Sequence, residues 1–430
     1  MFETEIETNE IIDFRKKYLS SPVIIGLTVV FILFNIISIS SSSYFKEDIK
    51  IINKIISQFG YEINDEMISD MKAKYKDSLK EVNKITKAKL NKTYDSIGEF
   101  MSSDEYYSNN YDGGVFSEED LKFFNEVSLL DLYSNASVDL IKSYEELNIK
   151  EIGEDSIEAY GLSGQAAEMA RANYEKLEKR FEEIKSTYEH KNLFFLGSAY
   201  RMHSLLFKET FSKCIYEILI IVVLMTAYLI NFEFDNKTNL LVYSTRRGRK
   251  NIKDKFAVCF MSSLIISSVI LGITLLSYFL IFDYSEIWNI PITTAFNWEY
   301  KYPYISLFNH TFLQRLLLSC LIVLICAVIF CTIAFIICSL IKNSYLVIFI
   351  FFILFGIILI VPQMISKSSA LLIYSGYNVF QLILNPNNWF MDMGPLIMKN
   401  YEVITLVTNM LILSIVSVFT IKRFKKEDIN

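Results

Sequence analysis

Side chains able to run a reaction are sparse in this 430-residue sequence, and their spacings suit no known catalytic set. The three histidines (His190, His203, His310) are scattered, and no CxxC, HExxH or paired His–Cys spacing exists, so a metal site has no ligand set. All six cysteines (Cys214, Cys259, Cys320, Cys326, Cys331, Cys338) lie in or beside apolar blocks. The long polar stretch has none, which excludes a disulfide scaffold there. No GxSxG elbow, kinase set, GxGxxG turn or phosphate loop occurs. The reading is a chain that is not an enzyme and holds no cofactor or metal of its own.

The chemically informative segment is a loop, residues 232–256. Glu233 closes one apolar block, and a short apolar patch follows (Leu240, Leu241, Val242). Then come Arg246, Arg247, Arg249, Lys250 and Lys253, with Lys255 at the start of the next block. This order predicts a short amphipathic helix at a membrane surface. Its basic part could pair with anionic headgroups or with an acidic groove on a soluble partner. Plain positive-inside anchoring explains the same charges. Four polar residues inside apolar blocks are candidates to line a path: Asn35, Glu217, Thr226 and Asn409. Glu217 sits about one turn inside its block, with Lys213 four residues earlier. An unpaired charge at the bilayer centre costs roughly 3 kcal/mol, and much less near the interface, so a structural role for Glu217 competes with substrate contact.

Elements that could position these residues follow from composition. Hydrophobic residues are 52% and charged residues 21%, with net charge −6. That is too apolar for one soluble enzyme and too charged for a uniform membrane bundle. About 20 apolar residues cross a ~30 Å hydrocarbon core. Six blocks qualify or nearly qualify: 22–42, 212–231, 257–282, 316–341, 345–362 and 403–421. Lys342-Asn343-Ser344 leaves room only for a tight hairpin between the fourth and fifth. A seventh piece, 369–384, is short, and within the region 363–401 it reads as re-entrant or interfacial. Lys and Arg concentrate before the first block, in 232–256, at Lys342 and in the tail. Six spans place all four on one side, so both termini are expected in the cytoplasm. The first block reads as a span rather than a cleaved signal, having a long run and no A-x-A site.

The polar stretch, 43–205, is then expected outside the cell, with net charge −10 against +4 for the rest. It has no proline and reads as helical. Ala170, Tyr174, Leu177, Phe181, Ile184 and Tyr188 step by alternating fours and threes, as a coiled-coil or bundle seam does. Met67, Met71, Tyr75, Leu79, Val82 and Ile85 form a similar run. The expectation is a pair of long helices with smaller ones between, packing within the chain or across a dimer. Segment 101–117 reads as a loop. Trp288, Trp298, Tyr300, Tyr302 and Tyr304 share one outer loop and read as an interfacial aromatic belt. The fold class is an all-α membrane protein: six transmembrane helices, a re-entrant or interfacial helix and a helical, coiled-coil-like extracellular domain.

The loop resembles that of permease subunits in the type-2 ABC exporter family. There, an acidic residue after the second span precedes a Thr-x-x-Leu-Leu-x-x-Ser stretch, an Arg-rich turn and a lysine. The matching residues are Glu233, Thr238, Leu241, Ser244, Arg246, Arg247 and Lys255, with Lys237 in place of the usual Gly and no Pro after the Ser. Glu10, Phe14, Arg15, Lys17, Ser21 and Pro22 look like the amphipathic elbow helix (residues 1–21) of such permeases. The resemblance covers residues 1–42 and 206–430, and the insert between the first two spans departs from most of the family.

It implies a permease in the plasma membrane that pairs with a second permease subunit, itself or a relative. Two ABC ATPase subunits would bind from inside, carrying ATP and Mg on their own chains. The helix at 238–250 would couple them, with Arg246, Arg247 and Arg249 at the ATPase or the headgroups. The substrate would be a peptide or a lipid-like amphipath; the acidic charge of the outer stretch fits a cationic antimicrobial peptide, although solvated helix faces explain the same charge. No nucleic acid is implied. Leu162-Ser163-Gly164-Gln165 imitates the ATPase signature LSGGQ but lacks a glycine and any companion phosphate loop, and reads as an accidental loop opening a helix over 165–189. The alternative is a membrane-anchored receptor or scaffold whose extracellular bundle binds a partner without transport.

Overall fold

The computed structural model describes residues 21–110, 114–197, 200–244, 248–298, 303–392, 398 and 400–426. Six helices among them are long and apolar enough to cross a membrane, which makes the chain a multi-pass membrane protein. No strand occurs among the described residues.

The first span, α1 (Pro22–Ser40), opens on a proline, whose missing N–H falls among the unbonded donors of a first turn. Five helices of eleven residues or more are described before the second span: α2 (Lys46–Phe59), α3 (Asp65–Leu90), α4 (Glu118–Glu145), α5 (Ile149–Ala159) and α6 (Gly164–Ser186). Their starts are marked in the sequence. Asn64 accepts from the Met67 N–H, and Ser117 with Asp120 closes a full capping box. The second span, α7 (Phe211–Asp235), is led in by a π-helical stretch, Leu205–Thr210. A short α8 (Asn239–Tyr243) precedes the third span, α9 (Asn251–Ile281). The fourth and fifth spans, α10 (Phe312–Leu340) and α11 (Ser344–Met364), join through residues 341–343, the expected hairpin. Two helices too short to cross, α12 (Ala370–Ser375) and α13 (Val379–Leu382), lead to the sixth span, α14 (Tyr401–Lys426).

The second and fourth spans form the centre of the bundle, with 72% and 61% of their apolar windows enclosed. The first, fifth and sixth are only 17% enclosed, so their apolar faces are left for lipid or another chain.

The polar helical domain sits on one face of the bundle and touches the connections there. The Ala295 N–H donates to the His190 carbonyl (3.0 Å), and the Asn53 amide to the Asp283 carbonyl (2.9 Å). At a far corner the Ser163 N–H donates to the Lys367 carbonyl (3.1 Å), and Ile373 of α12 packs into a small core with Ile157, Leu162 and Ala166. The LSGQ stretch is therefore a docking corner that opens α6. On the opposite face lie α8, the 341–343 turn and the end of α14.

Several sequence expectations are corrected. The domain has three long helices, not a pair. α4, unmarked by any seam, packs between α2 and α3, while the seam of α6 packs on α5 and the core of its own chain. Ala170, Tyr174, Leu177, Phe181 and Ile184 are buried, but Tyr188 is 65% exposed at positive φ, so the seam ends one step early. Segment 101–117 is not wholly loop, since a short helix covers Asp104–Tyr107. Tyr304 is enclosed within the protein instead of joining an aromatic belt, because its hydroxyl is taken by the Trp389 carbonyl. Tyr300 and Tyr302 lie outside the described residues.

Candidate functional site

Glu233 and Lys255 are 22 residues apart, yet antiparallel α7 and α9 bring them into a buried ion pair, with side chains 5% and 3% exposed. The ammonium also reaches the Leu229 and Ile230 carbonyls at 3.2 and 3.3 Å, about one turn before Glu233 on α7. The Tyr243 hydroxyl lies 3.4 Å from the same carboxylate. A charge removed from water needs such partners on every side.

That tyrosine folds the loop back on the spans. Its ring is buried between Phe234 of α7 and Phe424 of α14, with centroids 5.5 and 5.6 Å away. Gly248 allows the return, since a Cβ there would lie 2.3 Å from the Val242 carbonyl oxygen. Thr238 precedes α8, its N–H on the Glu233 carbonyl at 2.8 Å, and the Ser244 hydroxyl donates to the Leu241 carbonyl at 2.9 Å. Arg249 is half-buried in the turn after Gly248. With Tyr243 turned in, Leu240 and Leu241 face out, 63% and 75% exposed. The hairpin joins the same cluster. Lys342 lies 4.4 Å over the Phe424 ring, and the Asp235 carboxylate accepts from the Ser344 hydroxyl. One short helix thus packs on the second and sixth spans, and the carboxylate that it meets carries the connection to the third. Arg246 and Arg247 lie outside the described residues, as do the elbow residues Glu10, Phe14, Arg15 and Lys17.

A second polar centre lies inside the bundle. The Asn35 amide of α1 donates to the Glu217 carboxyl of α7 (2.7 Å) and to the Thr274 hydroxyl of α9 (3.2 Å). Both Asn35 and Glu217 are buried, and the other Asn35 amide atom, Oδ1, has no hydrogen-bond partner among the described residues. Lys213 does not pair with Glu217. It donates to the Ser38 hydroxyl (2.5 Å) and lies 3.7 Å from Glu209. The remaining two candidates stand apart. Thr226 is enclosed between the second and fourth spans, its hydroxyl 3.6 Å from the Cys331 sulfur. Asn409 donates to the Thr405 carbonyl (2.7 Å) and reaches the Tyr377 carbonyl (3.4 Å).

A third centre escaped the sequence reading. Arg315, in the first turn of α10, is entirely enclosed. Its guanidinium lies between the rings of Phe207 and Tyr304, 4.1 and 4.6 Å from their centroids. It donates to the Asn387 carbonyl (2.5 Å) and to His203 Nε2 (3.1 Å). Burial, and secondarily the Arg315 cation, hold His203 well below the ordinary imidazole range, so its ring is neutral and accepts. Nearby, burial pushes the Asp392 carboxyl up to about 7, although it accepts the Leu307 N–H at 2.7 Å. The available signal was an arginine immediately before an apolar block, which positive-inside counting treats as anchoring.

No group of three or more His, Cys, Asp or Glu side chains among the described residues is arranged to hold a metal. Comparison with protein-family models, with curated proteins and with solved structures yields no match.

Proposed function

We propose that this chain is the membrane-spanning subunit of an exporter driven by ATPase chains that bind the face carrying α8. The observation that supports it is the loop helix, which presents Leu240 and Leu241 outward beside a basic turn while Tyr243 and Glu233 anchor it inward. An exposed apolar pair next to cationic residues suits a soluble partner with an acidic-rimmed cleft. A push on α8 would reach α7 and α9 through the Glu233–Lys255 pair, and α14 through Phe424. The loop resemblance points to the type-2 ABC exporter permeases. In this reading two such permeases pair through their sparsely covered spans. ATP and Mg are bound by the ATPase chains, the α8 face and both termini are cytoplasmic, and the polar domain is extracellular. The cargo is a peptide or a lipid-like amphipath.

The test is purification of this chain with the ATPase encoded beside it, in wild-type form and as Leu241→Asp and Arg246→Glu/Arg247→Glu variants. Loss of substrate-stimulated ATP turnover with intact membrane insertion is the expected result. Wild-type stimulation in both variants contradicts the assignment. A chain that never copurifies with an ATPase, while its polar domain captures a partner, would be the receptor or scaffold.

A further inference from the structure

A cavity of about 800 Å³ lies in the polar domain, where the start of α3, the end of α4 and the exit of α6 meet the connection between the third and fourth spans. Its wall is apolar on one side, formed by Ile63, Ile68, Val138 and Ile141. Four carboxylates face it (Glu62, Asp65, Glu145, Glu189) against two lysines (Lys142, Lys191).

These charges are not equivalent. Glu189 is engaged by Arg180 at 2.6 Å, and Glu145 by His190 and Lys191 at 2.9 and 3.0 Å. Burial holds His190 below the ordinary imidazole range, so it adds little positive charge. Glu62 and Asp65 stand at the exposed mouth, on a segment held in place by bonds from Ile63 N–H to the Lys191 carbonyl and Leu193 N–H to the Tyr61 carbonyl, 2.8 Å each. The wall behind, 189–192, is tied to the span connection: the Thr294 hydroxyl donates to the Asn192 carbonyl (2.5 Å), and Arg180 to the Ser306 carbonyl (3.1 Å). A cavity between parts of one chain, with an apolar wall and a few convergent polar groups, is where ligands are held.

We infer that this cavity binds a segment of a basic amphipathic peptide, an apolar side chain seated on Ile63, Ile68 and Ile141 and a cationic one at Glu62 and Asp65. Charge complementarity selects this occupant. The mouth is acidic, the whole 43–205 domain carries −10, and an anion would face both. The inference rests on the exporter reading only for the cavity's role, a place where cargo is met and its presence passed to the third and fourth spans. Binding itself is a property of this chain alone.

The experiment uses the full chain in phosphatidylcholine nanodiscs and a fluorescent lysine-rich amphipathic peptide, read by anisotropy against empty nanodiscs. Glu62→Gln/Asp65→Asn is expected to weaken binding about tenfold, and Val138→Trp, which fills the cavity from an exposed position, to weaken it further. A charge-matched pair in a second groove of the domain, where three glutamates face three lysines, Glu47→Gln/Glu119→Gln, is expected to leave binding unchanged. Equal weakening by both pairs would mean diffuse attraction and would overturn the site. So would a wild type that binds no better than empty nanodiscs. Peptide binding without any ATPase response would instead leave the site standing and remove the exporter role.

Discussion

Replacing Lys255 by Met leaves the Glu233 carboxylate enclosed with one weak donor, the Tyr243 hydroxyl at 3.4 Å. The pair is 5% and 3% exposed, so water cannot fill the gap cheaply. Breaking a buried pair from one side costs about 3–5 kcal/mol, whereas replacing both members with neutral residues of similar size is often near neutral. Lys255→Met should therefore be strongly destabilising. Glu233→Gln should cost less, because the ammonium keeps the Leu229 and Ile230 carbonyls. The double variant should recover most of the loss. The native thiols supply the assay. Five of the six free cysteines are buried, and Cys259 lies one turn from Lys255, so a thiol-reactive dye reports unfolding during a thermal ramp in detergent. A double variant as unstable as the sum of the singles would refute the pairing.

Three further outcomes follow from the same geometry. Gly248→Ala forces a Cβ to within 2.3 Å of the Val242 carbonyl and should displace α8, read as faster proteolysis of the 232–256 loop with the spans still folded. Glu217→Gln keeps an acceptor for Asn35 and should be nearly silent in the thiol assay. Glu217→Leu removes that acceptor and should cost about 1–3 kcal/mol. Asp392 has a folded-state pKa of about 7 against an ordinary 3.8, so its folded form holds the proton more tightly. Stability should fall as pH rises from about 4 to 7 and then level off. Asp392→Asn should remove that component, seen as the difference between the two melting-temperature profiles across that range.

The spans were legible because twenty consecutive apolar residues admit few other readings, and the 341–343 hairpin because so short a gap leaves no alternative. The loop residues were visible individually. The pairing of Glu233 with Lys255 was not, since it needs the second and third spans in register. α4 was hidden for a different reason. Helices on more than one side cover it, so Phe124, Val127, Leu130 and Tyr133 do not form a single stripe. Tyr188 has the right spacing for the seam, but spacing does not reveal that the helix stops at Ser186. Tyr304 and Arg315 show the limit most clearly. An aromatic in an outer loop and an arginine at a span's end each have an ordinary surface reading, and only the fold stacks one on the other.

In the proposed exporter, an ATPase docks on α8. The most direct measurement places a photo-crosslinking probe on a unique reactive cysteine at Leu241, in native membranes, and identifies the adduct. A docked exporter subunit predicts an adduct with a chain carrying a phosphate loop, at a yield that changes with ATP. No ATPase adduct, from a cysteine that a soluble maleimide labels freely, would contradict it.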